Sequence, residues 1–191
     1  MPALTLDPRS TALVLIDLQN GIVARPLEPR SGADVMRHAA QLAAAFRKVN
    51  APVIYVHVLL NEIVRPALVD APQPAGSPPP AEASELAPEA GFQPGDLLVA
   101  KRQWGAFYAT ELDQHLRRRG IATIVLGGIA TNMGVESTAR AAAERGYAQI
   151  FASDAMASFS TAAHHFSLGT ILPRIGRVRT TRQILNALSK A

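Results

Sequence analysis

The sequence of 191 residues contains no cysteine. A chain without cysteine cannot form a disulfide, bind a metal through thiolates or use a thiol as a nucleophile. The sequence also lacks the run of about 18 apolar residues that a membrane-spanning helix needs. Its first residues have neither the basic region nor the cleavage site of a secretory signal. We therefore expect a cytoplasmic protein that does not enter a membrane.

Motifs that hold phosphate groups are absent as well. No GxGxxG follows the first predicted strand and no GxxxxGK[ST] occurs, so nothing indicates a dinucleotide, a nucleoside triphosphate or another cofactor. The net charge is +4, but the basic residues are scattered apart from the run Arg117, Arg118 and Arg119. A solvated helix end explains this run better than a nucleic-acid surface does. We expect no nucleic-acid partner.

Short aliphatic segments alternate with amphipathic ones along the chain. Six segments have the pattern of buried parallel strands, the last three more weakly: 11–17, 52–58, 123–128, 96–101, 149–155 and 177–180. Helical patterns cover 33–49, 109–119, 133–145, 161–172 and 181–188. The alternation predicts an α/β protein with a parallel sheet between two helical layers, and the length fits a single domain.

Residues 66–94 interrupt this alternation. The segment contains eight prolines and few large apolar residues. Long excursions in compact domains are commonly lids, binding loops or oligomer contacts. We expect a structured lid or a subunit contact, with a disordered insertion as the alternative.

Polar residues follow three of the predicted strands. Asp17 ends the first strand, Lys101 ends the strand at 96–101, and the strand at 123–128 leads into a turn that contains Gly134. Ligands of open parallel sheets bind outside the carboxyl ends of the strands, so these groups are expected to converge on one crevice. Each charge alone has a simpler explanation, because such an aspartate can be a cap and such a lysine can be solvated.

Histidines and aromatic residues are further candidates. His57 stands alone at the second strand, and one histidine is not a metal site. His164 and His165 are adjacent on a predicted helix and therefore point to different faces, so we expect no metal. Trp104 and Phe107 are candidates for the wall of an apolar pocket, with core packing as an equal alternative for Phe107.

The sequence resembles the isochorismatase-like hydrolases over nearly its whole length. The matching segments are LVLIDLQNG with Asp17, VAKRQWGAFYATELDQHLRRRGI with Lys101, IVLGGIATNMGVESTARAAAERGY around Gly134, and DAMAS from Asp154. The segments KRQWGAF, LRRRGI and GVESTAR resemble a bacterial branch of this family that has glycine at the nucleophile position. The resemblance implies a Rossmann-like, six-stranded parallel sheet in the order 3-2-1-4-5-6, a small-molecule substrate and homo-oligomers.

The thiol-dependent members of that family use an aspartate, a lysine and a cysteine. Matching the motifs places Asp17 and Lys101 in the first two positions and Gly134 in the third, where it offers no nucleophile. Three hydroxyl residues are alternative nucleophiles, but no histidine is identifiably placed to activate any of them: Thr131, Ser137 and Thr138.

A cis peptide of the family maps between Ile129 and Ala130, where it would direct backbone N–H groups toward a substrate oxygen. The resemblance therefore implies substrate contacts at Ile129, Ala130 and Thr131. Gln19 is a further candidate for a polar contact.

Isochorismatases hydrolyse a vinyl ether and need no thiol. By this resemblance Asp17 is the general acid, and Lys101 binds a substrate carboxylate or orients Asp17. A neighbouring ammonium lowers a carboxyl pKa, so either burial of Asp17 must outweigh Lys101 or the substrate's charge must neutralise it. The alternatives are a catalytically inactive scaffold or regulatory protein of the same fold and an amidase that uses an activated water.

Overall fold

The computed structural model describes residues 4–63, 66, 68–70 and 77–188. Six parallel strands form one sheet in the order 3-2-1-4-5-6, as the resemblance implied. The strands are β1 (Thr11–Ile16), β2 (Val53–Val58), β3 (Leu97–Lys101), β4 (Thr123–Ile129), β5 (Ala148–Ala157) and β6 (Arg177–Arg179). All six predicted strands are confirmed, with ends that differ by a few residues.

Helices connect the strands. They are α1 (Asn20–Val23), α2 (Gly32–Lys48), α3 (Leu112–Arg118), α4 (Glu136–Glu144), α5 (Thr161–Phe166) and α6 (Thr181–Leu188). The short α1 was not predicted. Two predicted helices contain π-helical turns: Thr131–Val135 precedes α4 and Ser167–Ile171 follows α5. None of the helices within the described ranges has the length and hydrophobicity that a membrane crossing requires.

The two faces of the sheet carry separate apolar layers. Leu13 and Leu15 of β1 pack with the buried faces of α2 and α6. Val14 and Ile16 point to the opposite face and pack with α3 and α4. This alternation along one strand gives the three-layer α/β/α arrangement that the sequence predicts.

Local signals explain where two helices begin and end. Ser31 caps α2, because its hydroxyl accepts a hydrogen bond from the Asp34 N–H at 3.1 Å. Gly120 has a φ of 64° just after α3, and the Ile121 N–H donates to the Leu116 carbonyl at 3.1 Å. Glycine adopts this left-handed conformation without steric cost, which is why the chain can turn there.

The proline-rich segment 66–94 is described only in part. Residues 67 and 71–76 lie outside the described residues. The expectation of a lid or a subunit contact is therefore not addressed for them. The remainder contains two short 3₁₀ helices, Ala81–Ser84 and Pro88–Ala90. Leu86 forms a bridge with Gln19, so this part of the segment runs beside the end of β1.

Candidate active site

Asp17 lies where β1 ends, in a backbone conformation that few side chains adopt. Its φ is 54°, and its N–H donates to the Val56 carbonyl at 2.8 Å. The neighbouring β4 approaches closely: a Cβ on Gly128, whose φ is 118°, would lie 2.1 Å from the Ile16 carbonyl oxygen. Only glycine permits this approach, so Gly128 is part of what shapes the sheet edge beside Asp17.

Asp17 and Lys101 form a buried ion pair. The Lys101 Nζ lies 2.8 Å from Asp17 Oδ2 and donates a second hydrogen bond to the Trp104 carbonyl at 2.7 Å. Lys101 is 1% exposed and Asp17 is 6% exposed. The other carboxylate oxygen, Oδ1, is buried and has no hydrogen-bond partner among the described residues. Lys101 therefore holds Oδ2 of Asp17, while Oδ1 accepts no hydrogen bond from the described residues.

Burial raises the pKa of Asp17 to about 6, although the Lys101 ammonium acts in the opposite direction. Desolvation disfavours the charged carboxylate, and here it outweighs the attraction of the neighbouring cation. A carboxyl group with this pKa is about half protonated at pH 6 and roughly one-tenth protonated at pH 7. Asp17 can therefore both donate and accept a proton near neutral pH.

Gly134 lies beside Asp17 and Lys101, the other two positions that the resemblance matches to the family's triad. A Cβ at this position would lie 3.1 Å from both Asp17 Oδ2 and Lys101 Nζ. The third position of the triad thus lies directly beside the ion pair, but it carries no reactive group. The nearby Thr138 hydroxyl is already engaged, since it donates to the Gly134 carbonyl at 2.6 Å and accepts from the Ala106 N–H at 3.1 Å.

These groups open into a cavity of about 680 Å³. Of the predicted site residues, six line it: Asp17, Lys101, Trp104, Ile129, Ala130 and Gly134. The Ile129–Ala130 peptide is cis, as the resemblance implied. Three lining residues come from connections whose sequence gave no signal for a site: Ile22, Arg25 and Phe159. Met133, from the predicted turn at Gly134, lines the cavity as well. Residues 77–79 of the proline-rich segment also line the cavity.

Gln19, a candidate for a polar substrate contact, is not among the residues that line the cavity. Its side chain is fully buried, and its amide donates to the Val58 carbonyl at 2.9 Å and to the Ala83 carbonyl at 3.2 Å. Its Oε1 accepts from the Val58 N–H at 2.8 Å. Gln19 therefore ties the proline-rich segment to β2, and its polar atoms have protein partners.

Thr131 and Phe107 also lie outside the cavity lining. The Thr131 hydroxyl is buried, 3.0 Å from the Ala157 carbonyl and 2.8 Å from His164 Nδ1. Phe107 packs against Tyr147, with 5.8 Å between their ring centroids. The core-packing alternative for Phe107 is the one that the structure shows. The contact expected of Thr131 involves its backbone N–H, not its hydroxyl, and stays a prediction.

Of the three histidines considered in the sequence, His57 and His164 have hydrogen-bond partners in the protein. His57 Nδ1 lies 2.7 Å from the Ser84 carbonyl oxygen, and burial lowers the pKa of His164 to about 4. His165 is exposed, so the two adjacent histidines do point to different surroundings. Across the part of the chain that the structure describes, no group of three or more His, Asp or Glu side chains is placed to hold a metal ion.

Comparison with known proteins agrees with this geometry. The isochorismatase domain family matches residues 11–183. The chain belongs to the isochorismatase family. This family assignment identifies the protein as a hydrolase.

Relatives within the family match most of the chain or nearly all of it. An uncharacterized isochorismatase family protein of Bacillus subtilis, YwoC, is 49% identical over 97% of each chain. The ureidoacrylate amidohydrolase RutB of Methylobacterium radiotolerans is 34% identical over 80% of this chain and 69% of its own. The structure of an isochorismatase family protein from Burkholderia thailandensis matches with a TM-score of 0.91 and 48% identity, over 98% of this chain and 100% of that one.

Proposed function

We propose that the protein hydrolyses a vinyl ether or a related small anionic substrate by general acid catalysis. The observation that carries the proposal is a buried carboxyl group with a pKa of about 6, paired with Lys101 in a cavity whose nucleophile position is glycine. A thiol mechanism is excluded because the chain has no cysteine. Protonation of the substrate remains possible without a nucleophile, and Asp17 is the group in the cavity that is suited to it.

The proposed reaction follows from the protonation state of Asp17. Asp17 transfers its proton to the methylene carbon of an enolpyruvyl ether, and the electrons of the double bond form the new C–H bond. Water adds to the resulting oxocarbenium ion and loses a proton, which restores the acid. The hemiketal then collapses to pyruvate and an alcohol. Lys101 keeps Asp17 in place throughout, because its Nζ bonds both Asp17 Oδ2 and the Trp104 carbonyl.

An amidase that activates water is the second candidate. Its support is the 34% identity to a ureidoacrylate amidohydrolase. In this case Asp17 would act as a base in its ionised form, since Gly134 cannot form a covalent intermediate. The two candidates therefore require opposite protonation states of the same carboxyl group.

The decisive assay compares two products. Isochorismate and ureidoacrylate are incubated separately with the wild type, and pyruvate and ammonia are measured; the Asp17→Asn variant gives the background. We expect pyruvate from isochorismate. Ammonia from ureidoacrylate without pyruvate would establish the amidase instead. Turnover of neither substrate, nor of a wider panel of vinyl ethers and amides, would favour a scaffold or regulatory role.

The pH dependence separates the candidates independently. Since only protonated Asp17 donates a proton, kcat/KM for a vinyl ether is expected to fall as pH rises through about 6, by up to tenfold per pH unit above it. Rates are measured from pH 5 to 8 in overlapping buffers of constant ionic strength. A rate that rises through this range would show that the carboxylate, not the acid, is the active form.

The cavity lining supports a lid function for part of the proline-rich segment. Residues 77–79 line the cavity, and Asn20 of α1 binds the same segment through its N–H, which donates to the Glu85 carbonyl at 2.9 Å. A lid of this kind would exclude bulk water from the oxocarbenium ion and keep Asp17 desolvated.

A further inference from the structure

We propose that Arg25 is an anion-binding residue that selects carboxylate ligands for the cavity. Three charged side chains line the cavity within the described ranges, namely Asp17, Lys101 and Arg25. Asp17 and Lys101 are paired with each other at 2.8 Å. Arg25 is the third charge, and it gives the cavity a formal excess of one positive charge.

The Arg25 guanidinium has no carboxylate partner in the described part of the chain. The nearby Glu28 forms no ion pair with Arg25, and its Oε2 accepts from the Thr161 N–H and hydroxyl at 2.9 Å each. The undescribed residues 64, 65, 67 and 71–76 contain no Asp or Glu. An arginine at a cavity wall without a protein anion is available to an anionic ligand.

Phe159 holds this guanidinium in place. The Arg25 Cζ lies 4.1 Å from the centroid of the Phe159 ring, and Phe159 packs against the apolar core. A guanidinium stacked on an aromatic ring keeps its N–H edges free for a bidentate bond to a carboxylate. The stack therefore orients Arg25 without using its hydrogen-bond donors.

The two connections that carry this stack are joined by the backbone. Glu28 and Ser158 exchange two N–H to carbonyl hydrogen bonds of 2.7 Å each. This bridge fixes the loop after α1 against the turn after β5, so that Arg25 and Phe159 share one wall of the cavity. An anion bound here would have its apolar part beside Ile22 and Met133, which line the same cavity.

The inference deepens the proposed function. That the bound carboxylate belongs to the substrate rests on the proposed function. Lys101 is then free to hold Asp17, and Arg25 supplies the charge that the substrate carboxylate needs. The ligand class is a small carboxylate with a planar or apolar body. The binding itself can be tested without any catalytic turnover.

The test uses benzoate as the probe and benzamide as its neutral counterpart. Trp104, the single tryptophan of the chain, lines the cavity and reports binding by its fluorescence. In Arg25→Gln the Kd for benzoate is expected to rise at least about tenfold, since hydrogen bonds to charged groups contribute this much. The Kd for benzamide should change by less than about twofold. Arg25→Lys keeps the charge but loses the flat stack, so an intermediate Kd is expected.

Arg118→Gln is the matched control, because Arg118 is exposed on α3 and its removal changes the net charge equally. It should bind benzoate like the wild type. Equal benzoate affinity in Arg25→Gln and the wild type would overturn the inference, as would equal losses for benzoate and benzamide or no benzoate binding by the wild type. None of these outcomes depends on pyruvate release, so failure of the proposed reaction would be seen separately.

Discussion

Asp17→Asn is expected to lower kcat at least about 10²-fold on isochorismate or another vinyl ether that the wild type hydrolyses. Asparagine keeps the shape of the side chain but has no proton that it can transfer. General acid catalysis typically contributes about 10²- to 10⁴-fold to a rate, so its loss should appear in kcat. KM should change much less. Steady-state kinetics at pH 6, where about half of Asp17 is protonated, gives the measurement.

Two controls separate this effect from a loss of structure. Asp7→Asn removes the same charge from a surface aspartate that pairs with Arg9, and it should retain wild-type kinetics. Benzoate binding to Asp17→Asn should also persist, because the carboxylate site at Arg25 is intact. Wild-type kcat in Asp17→Asn on a genuine substrate would show that another group supplies the proton.

The positions of Asp17 and Lys101 could be predicted because they depend on sheet topology. Parallel strands place their carboxyl ends at one edge, so polar residues at two strand ends are expected to be near each other. The 2.8 Å between Lys101 Nζ and Asp17 Oδ2 agrees with that expectation. Gly134 needed the family resemblance as well, since a glycine carries no chemical signal of its own.

The hydrogen-bond partners of Gln19 could not be predicted because they are distant in sequence. A polar residue after a buried strand is a reasonable ligand contact until its hydrogen bonds are known. The amide of Gln19 bonds to Val58 and Ala83, and Ala83 belongs to an irregular segment whose path no local pattern specifies. The partners of the Thr131 hydroxyl could not be predicted for the same reason, since Ala157 and His164 lie on later elements.

Arg25 and Phe159 were missed because neither has a distinctive local sequence. Arg25 follows a four-residue helix that is too short for an apolar period, and Phe159 follows a long strand. Their contact depends on the backbone bridge between Glu28 and Ser158, which only the tertiary structure shows. Homo-oligomer formation and cytoplasmic localisation stay predictions of the sequence.

Lys101→Met is expected to change three properties together, because Lys101 is 1% exposed and is the ion-pair partner of Asp17. Removing one partner of a buried ion pair costs about 3 to 5 kcal/mol when the other charge remains. Without the ammonium, the largest influence that opposes burial is gone, and the pKa of Asp17 rises further. The variant should therefore lose stability and shift its pH profile to higher pH. It should also lose kcat, because Lys101 no longer holds Asp17 in place.

The sign of the stability change follows from proton binding. An acid whose folded-state pKa exceeds its unfolded value of 3.8 binds more protons when folded between those two pKa values. Stability then falls as pH rises from about 3.8 through the folded-state pKa and levels off above it. Lys101→Met should accordingly be destabilised by about 3 kcal/mol or more at pH 8 and by clearly less at pH 5.

Urea unfolding at pH 5 and pH 8 measures this difference, and the pH dependence of kcat/KM measures the shift of Asp17. Lys48→Met is the matched control, because Lys48 is exposed at the end of α2 and has the same side chain. It should keep wild-type stability and kinetics at both pH values. An equal loss of stability at pH 5 and pH 8 in Lys101→Met, together with an unmoved pH profile, would show that Lys101 does not control the ionisation of Asp17.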